Sequence, residues 1–288
     1  MIQTARYFAG IGAAKAGTSW LATYLGGHPE VALSPIKELH YFDAMYLDEA
    51  ARNWNRKWRR ILDELEEKYR TDPQESIAEK LRCVQLRLRM IEEPAAYSEY
   101  FTRLVQPGHR AFGEVTPAYG RLDREGFAAM LDLYPDARFI YMVRDPVDRY
   151  LSQVRFLKTL RHKRGRGDGG SFEADQQALK HLDNPALVDR GDYQHTLETL
   201  YSLVPEDRCL VVFYEQLFAS ASSQRVVGEI CDFLELSEHA ADIEARVNES
   251  DSLLFSENVI AKVRQRLTPV YDYMAGRYGG ALPDAWRG

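Results

Sequence analysis

The stretch AGIGAAKAGTSWLATYL, residues 9–25, joins an apolar run to a segment with helical spacing through a glycine-rich turn. The run at residues 7–11 has the character of a short buried strand. After the turn, apolar residues recur at helical spacing until a glycine pair and Pro29, which are typical of a helix end. These positions are Trp20, Leu21, Tyr24 and Leu25. The stretch therefore predicts a strand, a tight turn and a helix, which is the beginning of an α/β unit.

The turn has the glycine spacing of a nucleotide-phosphate loop but carries its lysine elsewhere. In the usual motif, GxxxxGK[ST], a lysine follows the second glycine and reaches the phosphates. Here Gly12 and Gly17 keep the spacing and Thr18 follows, whereas Lys15 lies in the middle of the loop. The main-chain N–H groups of such a turn and of the helix N-terminus can bind an anion. The alternative is a tight strand–helix turn without a ligand, which glycine spacing alone does not exclude.

A kinase or another NTPase needs that lysine after Gly17 and an acidic residue that binds magnesium at the end of a strand. Neither feature is convincing in this sequence. A phosphate loop without these two features favours a nucleotide whose 5' end carries a group other than a triphosphate. The kinase or NTPase class remains the alternative function.

The rest of the chain alternates apolar runs with helical segments. The runs lie at residues 30–33, 138–143 and 209–214, and residues 110–119 predict a further strand and turn. This alternation predicts an α/β fold with a central, mainly parallel sheet flanked by helices, in one domain over residues 1–288. Residues 45 to about 92 are charged and predict an insertion of two amphipathic helices that break near residues 71–73. Its tryptophans, Trp54 and Trp58, share one face and are expected in the core; a wall of the acceptor cleft or a dimer contact are the alternatives.

The composition excludes several classes of function. The 288 residues have a formal net charge of -6, so no overall basic field draws the chain to nucleic acid or to anionic membranes. Three scattered cysteines give neither a disulfide framework nor zinc-ligand spacing, which favours a reduced, cytoplasmic setting. We expect no secretory signal and no membrane span, because no run reaches about 18 apolar residues. The oligomeric state stays open.

A second motif, RFIYMVRDPVDRYLSQV at residues 138–154, is more specific. A predicted strand ends before Arg144, which would stand at the sheet edge where ligands of parallel sheets collect. Ser152 follows two helical turns later on the same side. An arginine fork and a hydroxyl can hold an isolated phosphate. The alternative is a structural ion pair between Arg144 and Asp145, with Pro146 beginning a helix.

Together these motifs resemble the sulfotransferase superfamily that uses 3'-phosphoadenosine 5'-phosphosulfate (PAPS). KAGTSWLATYLGGHP at residues 15–29 resembles its 5'-phosphosulfate loop, and RDPVDRYLSQV at residues 144–154 its 3'-phosphate motif. Residues 190–217 resemble its later helix–strand unit. KELHYFD and GEVTPAY are most similar to the branch of heparan-sulfate, Golgi-type and many bacterial carbohydrate sulfotransferases. The resemblance covers about residues 5–43 and 97–236 and implies a single α/β domain with a parallel sheet.

The resemblance implies transfer of a sulfuryl group from PAPS to a hydroxyl or amine of a carbohydrate or small metabolite by in-line displacement. The product nucleotide is adenosine 3',5'-bisphosphate (PAP), and no metal is required. Lys15 would neutralise the bridging oxygen as it leaves. Glu38 would be the base, with His40 as second candidate because other branches use a histidine. The nucleotide-binding residues would be Lys15, Ala16, Gly17, Thr18, Ser19, Trp20, Arg144, Ser152 and Tyr193.

The chain departs from the family pattern at several positions. Val115 stands where the heparan-type pattern has a lysine, which casts doubt on a heparan-like acceptor. Thr116 and Tyr119, in the same motif, are candidates for the acceptor side. Lys37 is interpreted as surface charge, with binding of an anionic acceptor as the alternative. The family's late basic loop is missing at residues 245–259, where Arg246 is the nearby candidate. The basic segment at residues 161–170 is interpreted as a lid or acceptor loop.

Overall fold

The computed structural model describes residues 5–47, 51–163, 173–243 and 253–287. Its strands are β1 (Arg6–Gly12), β2 (Val31–Leu33), β3 (Ala111–Val115), β4 (Arg138–Val143) and β5 (Cys209–Phe213). The helices of the first half are α1 (Thr18–Gly27), α2 (Phe42–Tyr46), α3 (Ala51–Thr71), α4 (Glu75–Arg89), α5 (Ala95–Leu104) and α6 (Arg124–Leu133). Those of the second half are α7 (Pro146–Lys163), α8 (Ala174–Lys180), α9 (Pro185–Val188), α10 (Tyr193–Tyr201), α11 (Tyr214–Leu217), α12 (Ser223–Leu234), α13 (Glu257–Arg266) and α14 (Thr268–Tyr278).

The five strands form one sheet in the order β2-β3-β1-β4-β5, and every neighbouring pair is parallel. The predicted α/β fold with a mainly parallel sheet is therefore confirmed. After β1 the chain continues to β2 at one edge of the sheet, and after β4 it continues to β5 at the other edge. A crevice opens where connections diverge beyond the carboxyl ends of parallel strands, and both phosphate motifs begin at this crevice.

The central strands are buried on both faces, as their continuous apolar sequence predicts. Close packing at the centre requires Gly113 of β3, because a Cβ atom there would lie 1.9 Å from the carbonyl oxygen of Phe8. A smaller apolar cluster joins α7, α8 and α13 through residues such as Tyr150, Ala178 and Val263. This second cluster fixes α7, and with it the helix of the second phosphate motif.

The helical insertion is present where the sequence predicts it. Helices α3 and α4 pack against each other and are separated at residues 72–74, next to the predicted break. Helix α3 also packs on α2, which begins within the KELHYFD segment. Trp58 lies in the core with 4% of its surface exposed, in agreement with the prediction. In the described part of the chain, no helix is both long enough and apolar enough to cross a membrane.

Candidate active site

The glycine-rich loop after β1 takes a conformation that only some residues adopt easily. Gly17 has a φ of 91°, and Lys15 has a φ of 73°. A Cβ atom on Gly17 would also meet side-chain atoms of Met142 at 3.1 Å and of Tyr214 at 3.2 Å, so the space there is tight and the positive φ favours glycine. Within the described residues, the main-chain N–H groups of Gly17 and Thr18 have no hydrogen-bond acceptor. The loop therefore presents donors at the beginning of α1, as an anion site does.

Lys15 is half-buried and lies among charges from both motifs. Its Nζ atom is 4.5 Å from the ring centroid of Phe156. Burial lowers the pKa of Lys15, and the positive charges of Arg144 and Lys37 lower it further, whereas Glu38 opposes them. The loop lysine, the arginine of the second motif and the predicted base are thus electrostatic neighbours.

A direct hydrogen bond ties the predicted acceptor segment, residues 37–43, to the phosphate loop. The Nζ atom of Lys37 donates to Oγ of Ser19 at 3.0 Å. Lys37 is exposed, as its interpretation as surface charge implies, but it makes this bond at the beginning of α1. This contact makes Lys37 a further candidate residue of the site.

Glu38, His40 and Asp43 form a chain of hydrogen bonds within this segment. The Nε2 atom of His40 is 3.2 Å from Oε2 of Glu38, and its Nδ1 atom is 2.8 Å from Oδ2 of Asp43. His40 and Asp43 are buried, whereas the side chain of Glu38 is 36% exposed. The imidazole is therefore held between two carboxylates, and only Glu38 reaches the solvent side.

The two neighbouring carboxylates favour the positively charged form of His40. Burial alone would lower the pKa of His40, but the hydrogen bonds to Asp43 and Glu38 outweigh it and raise the pKa above its ordinary value. For Glu38, burial raises the pKa, but His40 and the nearby cations Lys37 and Lys57 produce a net lowering. Glu38 is thus stabilised as a carboxylate. Its Oε1 atom has no hydrogen-bond partner among the described residues.

The helical insertion contacts this segment directly. Arg87 of α4 is fully buried, and its guanidinium donates to the main-chain carbonyls of Leu39 and His40. Trp54 of α3 stacks on His40 with 3.4 Å between ring centroids and 17° between planes. The prediction of simple core packing is therefore incomplete for Trp54. Helical periodicity shows that such residues share a face, but it does not say what that face covers.

A buried carboxylate, Glu114, is linked to the acceptor segment through the hydroxyl of Tyr119. Glu114, at the end of β3, accepts hydrogen bonds from the hydroxyls of Tyr97 at 2.6 Å, Tyr119 at 2.9 Å and Thr116. Tyr119 also accepts a hydrogen bond from the main-chain N–H of Tyr41 at 3.1 Å. Thr116 and Tyr119 were candidates for the acceptor side, and both are fully buried. Their contacts hold the sheet edge and the acceptor segment together.

Arg144 stands at the carboxyl end of β4, as predicted. Its guanidinium lies 4.4 Å from the ring centroid of Tyr214 and 3.5 Å from Oδ2 of Asp148. Nη1 donates to the main-chain carbonyl of Lys15 at 3.5 Å, which links the two phosphate motifs. Its Nε atom is buried and has no partner in the described part of the chain. A buried, unpartnered N–H on a guanidinium suits a phosphate oxygen.

Asp145 does not pair with Arg144. Its Oδ1 atom accepts from the N–H of Asp148 at 2.9 Å, and its Oδ2 atom accepts from the hydroxyl of Tyr271 at 2.7 Å. It therefore caps the first turn of α7. The ion pair considered as an alternative is absent between these two residues; Arg144 instead pairs with the exposed Asp148 through Nη2, and its Nε atom stays without a partner among the described residues.

Four further predicted nucleotide-binding residues are buried. Ser152 is buried on α7, with 7% of its surface exposed, two turns after the motif begins. Tyr193 is fully buried, and its hydroxyl donates to the carbonyl of Arg144 at 2.7 Å. Ala16 and Trp20 are also buried, and Nε1 of Trp20 donates to the carbonyl of Asp242 at 2.9 Å. Their direct contact with a nucleotide stays a prediction.

Some predictions fall outside the described residues. Arg246 does, and so do residues 164–170 of the segment that was interpreted as a lid or acceptor loop. Val115 lies within the described part and is buried at the end of β3, with 6% of its surface exposed.

Comparison with known proteins now decides the family. The family model described as "Sulfotransferase family" matches residues 8–240, which include both phosphate motifs and the acceptor segment. The chain belongs to the sulfotransferase family. The predicted membership of the PAPS-dependent sulfotransferase superfamily and the predicted enzyme class are confirmed. The resemblance to the heparan-sulfate and Golgi-type branch stays a prediction.

The chain is similar to several solved sulfotransferase structures, of which one supports the fold with a TM-score above 0.5. A sulfotransferase from Alicyclobacillus acidocaldarius is similar with a TM-score of 0.64 and 21% identity, covering 98% of this chain and 99% of that one. Sulfotransferase STF9 from Mycobacterium avium has a TM-score of 0.48 and 13% identity, covering 95% and 77%. The sulfotransferase domain of the Synechococcus PCC 7002 olefin synthase has a TM-score of 0.43 and 18% identity, covering 94% of each chain. Comparison with curated protein sequences gives no match.

Proposed function

We propose that the enzyme transfers the sulfuryl group of PAPS to a hydroxyl or amine of a carbohydrate or small metabolite by in-line displacement. The hydrogen bond from Lys37 to Ser19 carries this proposal, because it joins the acceptor segment to the phosphate loop. It accompanies the electrostatic contact between Lys15 and Glu38. A cation for the leaving group and a carboxylate for the acceptor therefore belong to one crevice.

The nucleotide would be held by the two phosphate motifs. The open N–H groups of Gly17 and Thr18 suit the 5'-phosphosulfate end, and the buried Nε of Arg144 suits the 3'-phosphate with Ser152 on the next helix. Tyr193 supports the clamp through the main chain of Arg144. PAPS, when bound, supplies the sulfuryl group.

Lys15 would stabilise the negative charge that develops on the bridging oxygen. A cation held at the loop acts more strongly on a transition state than on the ground state, because the charge appears only as the bond breaks. Its half-buried position strengthens the interaction, since less water screens it.

Glu38 would take the proton of the acceptor group. His40, the second candidate, hydrogen-bonds through both ring nitrogens to carboxylates, and its raised pKa favours the imidazolium, which has no free lone pair. Glu38 is ionised and keeps one oxygen without a protein partner. His40 and Asp43 would then orient the base.

We further propose that residues 1–288 form one sulfotransferase domain in which the insertion forms a wall of the acceptor cleft. The similar fold of the Alicyclobacillus acidocaldarius structure, which covers 98% of this chain, supports one domain. The contacts of Trp54 and Arg87 with the acceptor segment support the wall.

The kinase or NTPase alternative is separated from this proposal by one measurement. Thermal unfolding is followed with PAP and no metal, and separately with ATP and magnesium. A ligand at 100 times its dissociation constant stabilises the folded protein by about 2.7 kcal/mol, which is an easily measured shift. We expect PAP alone to stabilise the enzyme. Stabilisation only by magnesium-ATP would overturn the proposed function.

A further inference from the structure

Two turns that carry arginines pack against each other next to the acceptor segment. Arg121 ends the 3-10 turn Pro117–Arg121, which follows β3. This turn packs on α2, the helix that begins at the end of the acceptor segment. Arg190 belongs to the 3-10 turn Asp189–Gly191, which precedes α10. Contacts between the two turns bring these arginines together although 69 positions separate them in the sequence.

A third arginine lies directly behind them. Arg149 of α7 is 1% exposed and packs so closely under the second turn that a Cβ atom on Gly191 would lie 2.4 Å from its Nε atom. Its Nη2 donates to the carbonyl of Leu187 at 3.0 Å. Its Nε and Nη1 atoms are buried and have no partner in the described part of the chain.

The charges of this cluster are not balanced by ion pairs. Among the described residues, neither Arg121 nor Arg190 forms an ion pair with a carboxylate. Arg190 makes one hydrogen bond, from Nε to the carbonyl of Ala186 at 2.9 Å, which fixes its guanidinium. Burial lowers the pKa of Arg190, and Arg121 and Arg149 lower it further.

The acidic groups that face Arg190 belong to the acceptor segment. Glu38 and Asp43 raise its pKa, so they lie within electrostatic reach, but both are already hydrogen-bonded to His40. Half-buried guanidinium groups of like charge repel one another in a low dielectric, and an oxyanion relieves that repulsion through bidentate hydrogen bonds.

We propose that Arg121 and Arg190 bind an oxyanion group of the acceptor, a carboxylate, sulfate or phosphate, so that the enzyme sulfates an anionic molecule. The proposal rests on the proposed function and names its substrate class. Arg149 adds positive charge from behind and holds the turn of Arg190 in place. Val115, the last residue of β3, stands where the family pattern has a lysine. Arg121, in the turn that follows β3, supplies a positive charge in that region instead.

The acceptor explains this cluster better than the nucleotide does. The phosphate motifs already have Lys15 and Arg144, and the carboxylates near Arg190 are those of Glu38 and Asp43. An anionic group placed at the arginines would position the rest of the acceptor beside the base.

The test uses the whole enzyme saturated with PAP, so that the nucleotide site is filled. Thermal unfolding is followed while sodium sulfate is added, against sodium chloride at equal ionic strength. The variants are Arg121→Gln and Arg190→Gln. The matched control is Arg124→Gln, an exposed arginine of α6 that bonds to Ser202 and corrects for the general stabilising effect of sulfate salts.

We expect saturable stabilisation by sulfate in the wild type and in Arg124→Gln. Each site variant should bind sulfate about tenfold more weakly, because one pair of charge-assisted hydrogen bonds from a guanidinium is lost. The same sulfate response in all four proteins would overturn the anion site. Weakened PAP binding in Arg190→Gln would assign the cluster to the nucleotide and also overturn it. Failure of the wild type to bind PAP would instead overturn the proposed function.

If Arg190→Gln does not fold, Arg121→Gln and Arg190→Lys carry the same test. Arg121 is half-buried and ends its turn, so its side chain is less enclosed than the four buried residues before it. Lysine at position 190 keeps the positive charge but cannot form the bidentate hydrogen bonds of arginine. Undiminished sulfate affinity in both variants would overturn the proposal.

Discussion

Arg87 donates a hydrogen bond to the main-chain carbonyl of His40, so a helix of the insertion holds the segment that carries the candidate base. The backbone of that segment is unusual: Glu38 has a φ of 58° and His40 a φ of 52°. Left-handed conformations cost non-glycine residues energy and persist where the surroundings support them. The buried guanidinium of Arg87 provides such support through two carbonyls.

We expect Arg87→Met to lower kcat at least about tenfold while the dissociation constant for PAP stays the same. Methionine fills much of the space, but two buried carbonyls lose their donor, at about 1–3 kcal/mol each. Arg82→Met on the same helix is the control, since Arg82 is paired with Glu75 and Glu79 at the surface. A parallel loss of PAP affinity would show a general folding defect instead of a positioning role.

Replacing Lys15 tests the stabilisation of the leaving group. Lys15→Ala should reduce the rate of sulfuryl transfer by about 10²–10³, the usual effect of losing one group that stabilises developing negative charge. Turnover from PAPS under single-turnover conditions measures the chemical step. Lys80→Ala, an exposed lysine of α4, should leave the rate unchanged. A Lys15→Ala enzyme with the wild-type rate would remove this role.

Arg144→Ala should separate the two phosphate sites. We expect the affinity for PAP to fall at least about tenfold, because an arginine–phosphate interaction exceeds about 1.4 kcal/mol. The affinity for adenosine 5'-monophosphate, which lacks the 3'-phosphate, should not change. Calorimetric titration with both nucleotides measures this difference. Equal losses for both would place Arg144 at the 5' end instead.

The pH dependence of activity tests Glu38. Its pKa is lowered from the ordinary value of 4.5, so the carboxylate is ionised throughout the range above pH 4.5. We expect no loss of kcat that depends on Glu38 between neutral pH and pH 5, and a strong loss at all pH values in Glu38→Gln. Glu64→Gln on the exposed side of α3 is the control. Wild-type kcat in Glu38→Gln would transfer the role of base to another residue.

The pH dependence of stability tests His40. Its pKa is raised from 6.5 in the folded state, so protonated His40 adds stability that is fully present below pH 6.5 and is lost as pH rises through the folded pKa. Urea unfolding of the wild type and His40→Asn should therefore differ more at pH 5.5 than at pH 9. The control is His109→Asn, which precedes the amino end of β3, whereas the acceptor segment lies at the carboxyl ends of the strands. A difference that does not vary with pH would mean that His40 is not stabilised by its charge.

The sequence alone predicted the parallel sheet, the phosphate loop with Lys15, and Arg144 at the end of β4. Each depends on neighbours in the sequence: an apolar run buried on both faces, glycines at a tight turn, or a charge directly after a strand. The same local logic predicted the insertion and its break near residues 71–73. It could not identify Arg87 or the stacking of Trp54 on His40, because periodicity defines a face of a helix and not its partner.

The sequence determined which residue types are available at the ends of the strands, and so the α/β fold and the family of the enzyme. The tertiary structure decided which of them meet. Lys37 donates a hydrogen bond to Ser19, and the hydroxyl of Tyr119 accepts one from the main chain of Tyr41. The turn that ends at Arg121 contacts the turn that contains Arg190. These contacts form because the carboxyl ends of parallel strands bring distant loops together. Contacts between distant segments depend on the packing of whole elements, whose register and orientation no short motif specifies.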